Sequence, residues 1–346
     1  MKKTSTVCRL VSLTLFSAAF VGTAAPALFP VVVGGRWGFV DQSGQTIINP
    51  QFDRAEAFAE GLAPVRMGRW GYVDGSGKVV INPQFDNAGV FSEGLAVVKL
   101  GGGGPGPFVP YDPRPWSPFN AGGGGGRYGF IDPDGKFVIN PQFDDARSFA
   151  GGFAAVKMGH WGFIDKTGKV IINPQFDEAG SFSEGLAVVK QGGHFGYIDA
   201  TGKLVINPQF ERAEAFSEDL AAVRSGGKWG FVNPTGTLVI NPQFDEAGSF
   251  AKGSAPVRQG KHWGFIDATG KFTIPAQFDG AALFSEGLAP VRQSGHWGFV
   301  DPSGKLAINP QFDEAANFTN GLARVKLSGR FGYVDATGKL VYNPTN

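Results

Sequence analysis

The four histidines stand at His160, His194, His262 and His296, each immediately before an aromatic-glycine pair. They lie a repeat or more apart, with no close pairing. Zinc centres draw on ligands a few residues apart, as in H-x3-H, so this spacing argues against a metal site. Elsewhere the same position holds Arg36, Arg69, Arg127, Lys228 and Arg330. It therefore reads as a cationic column along one edge of the fold. A second column is acidic: Asp41, Asp74, Asp132, Asp165, Asp199, Asp267, Asp301 and Asp335. Each opens an Asp-x-x-Gly turn, where the carboxylate can bond the backbone ahead, and that duty accounts for it. A third column comprises Asp53, Asp86, Asp144, Asp177, Glu211, Asp245, Asp279 and Asp313. It is matched in number by Arg66, Lys99, Lys157, Lys190, Arg224, Arg258, Arg292 and Lys326. Equal numbers predict one ion pair or hydrogen-bonded pair per repeat. Calcium would need several oxygens in one loop, as in D-x-D-x-D-G, and only Asp132 and Asp134 approach that.

Catalysis needs a unique constellation rather than nine equal ones. The sole cysteine is Cys8, and the chain has no G-x-S-x-G, H-E-x-x-H or GxxxxGK[ST] pattern. The expectation is a protein that is not an enzyme, with no catalytic residue, metal ligand or cofactor. The alternative is a hydrolase acting on cell-wall or polysaccharide substrate through repeat carboxylates.

The elements carrying these columns follow from an internal repeat. The aromatic-glycine pair begins at Trp37, Trp70, Tyr128, Trp161, Phe195, Trp229, Trp263, Trp297 and Phe331. The usual step is 33 or 34 residues, and one step of 58 holds an insertion. Within a unit, Leu95 to Lys99, the Trp-Gly-Phe-Val-Asp segment and Lys78 to Asn82 are short, β-branched and aromatic, and each fits a strand. Gly-rich residues join the first two, and Asp-x-x-Gly turns join the second and third as hairpins. Next comes N-P-Q-F-D-x-A-x-x-F. Its Pro is expected to stop the ladder, and its apolar spacing of three predicts one tight helical turn. The predicted fold is all-β: a tandem array of nine three-stranded antiparallel meanders. It is either open or spirally curved, or a propeller-like toroid closed by face contacts alone. No spare strand remains at either end for closure by strand exchange.

This pattern resembles the WG-repeat family, also called KWG repeats, of bacterial β-repeat proteins. The resemblance rests on Arg69-Trp70-Gly71-Tyr72-Val73-Asp74, Lys228-Trp229-Gly230-Phe231-Val232 and His296-Trp297-Gly298-Phe299-Val300-Asp301, each followed by a Gly turn. It covers nearly everything from residue 31 to 343. Tyr128, Phe195 and Phe331 replace Trp, and Asn233 replaces Asp. The resemblance implies an exported or envelope-associated bacterial protein and no known reaction.

Residues 1–27 carry Lys2, Lys3 and Arg9, an apolar run from Leu10 to Ala25, and small residues beyond it. This is the pattern of a secretory signal peptide, leaving 28–346 as the repeat domain, periplasmic or secreted, with no membrane span in the mature chain. The full chain of 346 residues has net charge +1. Without residues 1–27, 28 basic residues face 30 acidic ones, an unsuitable balance for nucleic acid. Gly is about twice as frequent as average, with 53 copies beside 32 Phe, and charged residues are only 18%. Many turns between aromatic strands suit that composition; a helical bundle or a disordered chain does not.

Residues 101–126 interrupt the third unit with two oligo-Gly arms around a Pro-aromatic centre: Phe108, Tyr111, Arg114, Trp116 and Phe119. Flexible arms and an extended aromatic centre suit a tethered recognition finger. A tolerated insertion at a hairpin tip reads equally from the same residues. Trp37, Trp70, Trp161, Trp229, Trp263 and Trp297 are the recurring aromatics, serving either as equivalent binding positions or as core. The expected function is non-catalytic binding or scaffolding in the bacterial envelope or exterior, with a protein or glycan partner.

Overall fold

The computed structural model describes residues 27–102 and 125–343. Every regular element among them is a β-strand, grouped in nine antiparallel sheets that follow one another along the chain. The first sheet holds β1 (Phe29–Val33), β2 (Arg36–Val40) and β3 (Thr46–Phe52). The second holds β4 (Arg54–Ala55), β5 (Leu62–Met67), β6 (Arg69–Asp74) and β7 (Val79–Phe85), paired in that order. The remaining seven sheets repeat the four-stranded plan over 87–143, 145–176, 178–210, 212–244, 246–278, 280–312 and 314–342.

The connector differs from the expected helical turn. Asn-Pro-Gln-Phe belongs to the last strand, and Asp-x-Ala opens the first strand of the next sheet. Eight sheets thus gain a fourth strand from the connector. In the third, fifth and ninth sheets the apolar spacing of three arises from a bulge. In the other five the first strand pairs over two residues and the chain returns to the ladder at an isolated bridge, as Ala59 does with Leu62. Ala179 pairs with Val189 and Phe182 with Ala187, so three steps on one strand match two on its partner and both side chains share a face. Pro is tolerated because it lies inside another irregularity. Trp70 pairs with Phe85 and Tyr72 with Ile81, so Asn82, Pro83 and Gln84 arch over a single residue, Gly71.

That arch is the reason for the glycine after each motif aromatic. A Cβ on Gly162 would lie 2.5 Å from the Ile172 carbonyl oxygen and 2.8 Å from the Pro174 nitrogen. The crossing backbone therefore requires a residue without a side chain. The Asp-x-x-Gly turn forms as the sequence predicts. The Asp74 carboxylate accepts from the Ser76 N–H (2.9 Å), the Ser76 hydroxyl (2.6 Å) and the Lys78 N–H (3.1 Å), and Gly77 takes a φ of 83°.

The cores lie between neighbouring sheets. One joins Leu186, Val188, Phe195, Tyr197 and Ile206 of the fifth sheet to Ala213, Phe216, Ala221 and Val223 of the sixth. At eight junctions a first-strand Phe packs on an aromatic of the preceding sheet, as Phe216 does on Tyr197 at 4.8 Å. The last junction closes the ring. Phe29, Val31 and Val40 of the first sheet cluster with Leu322 and Tyr333 of the ninth. The Tyr333 hydroxyl donates to the Pro30 carbonyl at 2.9 Å, and the Gln42 amide donates to the Asn320 carbonyl at 2.6 Å. Gly44 lies against the Val341 carbonyl. No strand is exchanged. The toroid closed by face contacts is thus the observed arrangement, a nine-bladed β-propeller.

The short first strands face the axis. Glu56 of the second sheet and Arg324 of the ninth interact electrostatically past the intervening first sheet, which is possible only where the ring is narrow. The last strands consequently form the outer rim.

Candidate binding surface

The repeated columns separate into those the fold consumes and those it leaves free. The motif aromatics are consumed. Trp70, Trp161 and Trp229 are buried in inter-sheet clusters, and Trp37, Trp263 and Trp297 are half-buried. Each aromatic of the second to ninth sheets pairs across strands with the basic column, Arg66 with Trp70 for example. The Lys190 ammonium lies 5.2 Å from the Phe195 ring centre and that of Lys99 5.4 Å from the Tyr128 ring.

The third acidic column is consumed too, and it forms one hydrogen-bonded pair per repeat with the basic column, through the backbone rather than the side chains. Its backbone meets the basic column, as where the Asp53 N–H donates to the Arg66 carbonyl at 2.8 Å. Four of its eight carboxylates reach the residue before the preceding sheet's motif aromatic. Asp53 pairs with Arg36, Asp144 with Arg127, and Asp245 with Lys228 at 2.5 Å. The second oxygen of Asp245 accepts the Gly260 N–H at 2.7 Å, which ties two sheets through one side chain. These bonds, led by the one to Lys228, hold the Asp245 carboxyl below its usual pKa. Within the basic column, the Arg224 guanidinium lies 3.6 Å from its numerical partner, Glu211. Lys190, Arg258 and Lys326 pair instead with Glu178, Glu246 and Glu314, the acids one residue further on. The backbone places the two columns side by side, while strand alternation turns their side chains to opposite faces.

One device escaped the sequence reading. The glutamate of Phe-Ser-Glu-Gly adopts a positive φ, 51° at Glu184, and clamps the matching turn of the next sheet. Its two oxygens accept from the Glu218 and Asp219 N–H groups at 2.7 and 3.0 Å. The preceding Ser183 hydroxyl donates to the Phe216 carbonyl at 2.7 Å. The return of Ser-Glu-Gly to the same place in the repeat, at 92–94, 183–185 and 285–287, was its only sequence signal. Gly151 and Lys252 occupy the glutamate position in the fourth and seventh sheets, and neither can make the clamp.

Phe108, Tyr111, Arg114, Trp116 and Phe119 lie outside the described residues. The root of their insertion is a regular hairpin, in which Leu100 pairs with Arg127. At that root the Gly102 N–H donates to Asp86 at 2.8 Å. Among the described residues Asp86 is the one buried charged group. Asp145 nearby has its pKa lifted by burial to about 6, against the pull of its own backbone bond and of Arg147, Lys157 and Lys99. Among the described residues no three His, Cys, Asp or Glu side chains group to hold a metal ion. No described helix is long and apolar enough to cross a membrane.

What the fold leaves free is a stripe on each last strand. Along β7 and its turn, Lys78, Val80, Asn82 and Gln84 are exposed, while Ile81 and Phe85 are buried between them. The same order runs through Lys136, Val138, Asn140 and Gln142, and through Lys203, Val205, Asn207 and Gln209. The ammonium groups of Lys78, Lys136 and Lys203 make no ion pair or hydrogen bond among the described residues. Of the stripe amides only Gln311 bonds the protein, to the Asn309 carbonyl at 3.4 Å. The aliphatic member is unusually exposed, 43% at Val80 and 45% at Val138 and Val239. The rim thus presents a cation, an aliphatic side chain and two amides in the second to fifth and eighth sheets, while Gln45, Thr237, Thr273 and Pro275 interrupt the set in the first, sixth and seventh.

Two solved structures share the architecture. A eukaryotic initiation factor is 10% identical over 92% of this chain and 95% of its own, with a TM-score of 0.62. The dihydro-heme d1 dehydrogenase NirN, in complex with DHE, is 16% identical over 96% of this chain and 76% of its own, with a TM-score of 0.50. At these identities the likeness extends to the fold alone. No curated protein matches the chain. The family described as WG containing repeat matches residues 37–69, 70–103, 128–159, 161–193, 195–229, 229–261, 263–295 and 297–330. By motif, by sheet plan and by the glycine beneath each Asn-Pro-Gln arch, the chain belongs to the WG-repeat family.

Proposed function

We propose that this propeller is a non-catalytic binding or scaffolding protein of the bacterial envelope or exterior, and that its outer rim engages an extended or repetitive protein or glycan. The observation that carries the reading is the unused stripe. Lysine, aliphatic and amide side chains recur in register, exposed and without partners, while other repeated columns are spent on junctions and turns. Amides that both donate and accept suit hydroxyl-rich or peptide partners. Several weak equivalent sites multiply through avidity when one long partner spans neighbouring blades. The cationic and apolar character of residues 1–27 supports export.

The hydrolase alternative draws less support. The repeated carboxylates bond turn N–H groups or cations, and nearly all of them recur from sheet to sheet.

The test uses the full protein and three variants. One lacks 101–126. A second replaces Asn82, Gln84, Asn140, Gln142, Asn173 and Gln175 by alanine. The third combines both changes. Each is co-sedimented with insoluble cell-wall and outer-surface fractions. Retention without the insertion, with loss on removing the six amides, is the expected result. Retention by the amide variant with loss on deleting 101–126 would transfer recognition to the insertion. Equal retention by all three would refute both.

A further inference from the structure

Eight junctions of the ring are alike and the ninth is not, because among the described residues the first sheet has no first strand. Phe29 stands where the other eight sheets carry alanine, as at Ala187 and Ala323. Its ring lies 5.3 Å from Tyr333 and fills the place a first-strand Phe takes elsewhere. The Tyr333 hydroxyl makes a matching substitution. Its counterpart Tyr197 donates to the Glu214 carbonyl of the next first strand at 2.7 Å, whereas Tyr333 donates to Pro30 of β1. The aromatic subsites are therefore filled from within.

The ladder subsite is not. In the second sheet the Arg66 carbonyl accepts the Asp53 N–H, and β4 pairs only Arg54 with Arg66 and Ala55 with Val65. The corresponding edge of β1, at Val31 and Val32, has no strand beside it among the described residues. Pro30 offers no N–H, so this edge accepts a two-residue ladder and no more. Beside it stands Arg324, where equivalent positions hold Pro64, Val97, Ala155, Val188 and Ala222. Arg324 is exposed, and its guanidinium is stacked 4.4 Å from the Phe331 ring centre. Lys326 lies over the same ring at 5.3 Å. Facing them, Glu56 of the second sheet has its pKa lifted by burial to about 7, against the pull of Arg324 and Arg54. Nothing in the repeat requires an arginine at a position that carries small apolar residues elsewhere.

We infer that the bare edge of β1 at the ring closure is an acceptor for an extended acidic peptide of a partner protein, in which a small residue lies opposite Val31 and the carboxylate that follows pairs with Arg324. The template is the sixth sheet, where Ala213 pairs with Val223 and Glu214 follows it. There Val188 holds the place that Arg324 takes at the closure. The added segment completes the sheet through main-chain bonds, as in other strand additions, and the stacked guanidinium supplies the preference for an acid. This site is separate from the outer rim, and its test is independent of the rim reading.

The probe is a labelled, end-blocked peptide Glu-Arg-Ala-Glu-Ala, a copy of residues 211–215, titrated into the full-length protein by fluorescence anisotropy. Saturable binding is expected. Arg324→Val should weaken it at least about tenfold, and Arg324→Lys should restore part of the loss. Glutamine in the peptide's fourth position should match the loss seen with Arg324→Val. Valine already stands at the equivalent place in the fifth sheet, so this variant folds, and an unchanged melting temperature checks that. Absence of saturable binding to the wild type, or equal affinity for the Arg324→Val protein, would overturn the proposal.

Discussion

Replacing Phe29 by alanine tests how the ring is closed. Phe29 is 6% exposed, and its ring packs against Tyr333, the one aromatic whose usual partner from a following first strand is missing. Alanine is the residue the other sheets carry here, but each of the other eight carries a first-strand Phe that fills the remaining space. In the first sheet nothing takes its place, so Phe29→Ala leaves a phenyl-sized void. Buried Phe→Ala substitutions cost about 3–5 kcal/mol. Collapse of the void is restrained by the Tyr333–Pro30 hydrogen bond and the packing of Gly44 on Val341, which puts this site towards the upper half of that range. The closing contacts include no strand exchange, so the loss should fall unevenly. Urea unfolding should report the destabilisation, and amide exchange should show protection falling first in the first and ninth sheets. A loss below about 1 kcal/mol, or exchange quickened equally in all nine sheets, would refute the account of closure.

Gly162→Ala places a methyl group under the Asn173–Pro174 arch, 2.5 Å from the Ile172 carbonyl. It should destabilise by several kcal/mol in chemical denaturation, about 3 or more. Gly193→Asn, at a φ of 84° with nothing within 4 Å, should change stability by about 1 kcal/mol or less. Glu184→Ala removes the acceptor of the Glu218 and Asp219 N–H groups and should lower stability by about 1–3 kcal/mol. Lys252→Glu should add the missing clamp to the following turn and raise the melting temperature by a few degrees, about 2–4 °C. Glu56 has a folded pKa of about 7 against an ordinary 4.5. Its neutral form is favoured by folding, so its contribution is complete below about pH 4.5 and is lost as pH rises through 7. The stability gained by Glu56→Gln should therefore grow between pH 5 and pH 8, to at most about 3 kcal/mol. A flat difference across that range would contradict the burial of this carboxyl.

The sequence made the strand count, the hairpins and the turn chemistry legible because they depend on local residue types. Asp and Gly in Asp74-Gly75-Ser76-Gly77 dictate their turn whatever surrounds it. The connector was misread because spacing of three has two physical origins, a helical turn and a bulged strand, and only the partner strand distinguishes them. Phe85, Ala88 and Phe91 look the same in either case until Val98 and Ala96 are seen across the ladder. That the acidic and basic columns meet through the backbone and not through their side chains was hidden for a related reason. Asp53 and Arg66 are backbone neighbours, but the carboxylate turns back to Arg36 of the preceding sheet. Ring closure was legible only as one of two possibilities. It depends on Phe29, which departs from an alanine column, packing on Tyr333, 304 residues away. The Glu184 clamp was hidden because a glutamate beside a turn glycine reads as a solvated charge. The free stripe could be recognised only after the structure had shown which columns were already occupied.

Repetition by itself does not mark a binding site. A column recurs either because every junction needs it or because a partner meets every blade. The two cases separate once each side chain's bonds are known. Trp161 packs, Gly162 lies beneath the arch, Asp165 caps a turn, and Glu184 clamps the neighbouring sheet. Each would recur in a propeller that bound nothing. Asn173 and Gln175 ride on the same arch with their side chains in solvent, and the arch needs only their backbone. In the seventh sheet Pro275-Ala276 replaces Asn-Pro, and the strand still forms without that asparagine, with Gln277 in place. The amides are thus separable from the fold that displays them, which is the property a surface needs if its residues answer to a partner. The ring-closure site follows the same logic from the opposite direction. Arg324 matches no column, and among the described residues it stands beside the one sheet that lacks a first strand.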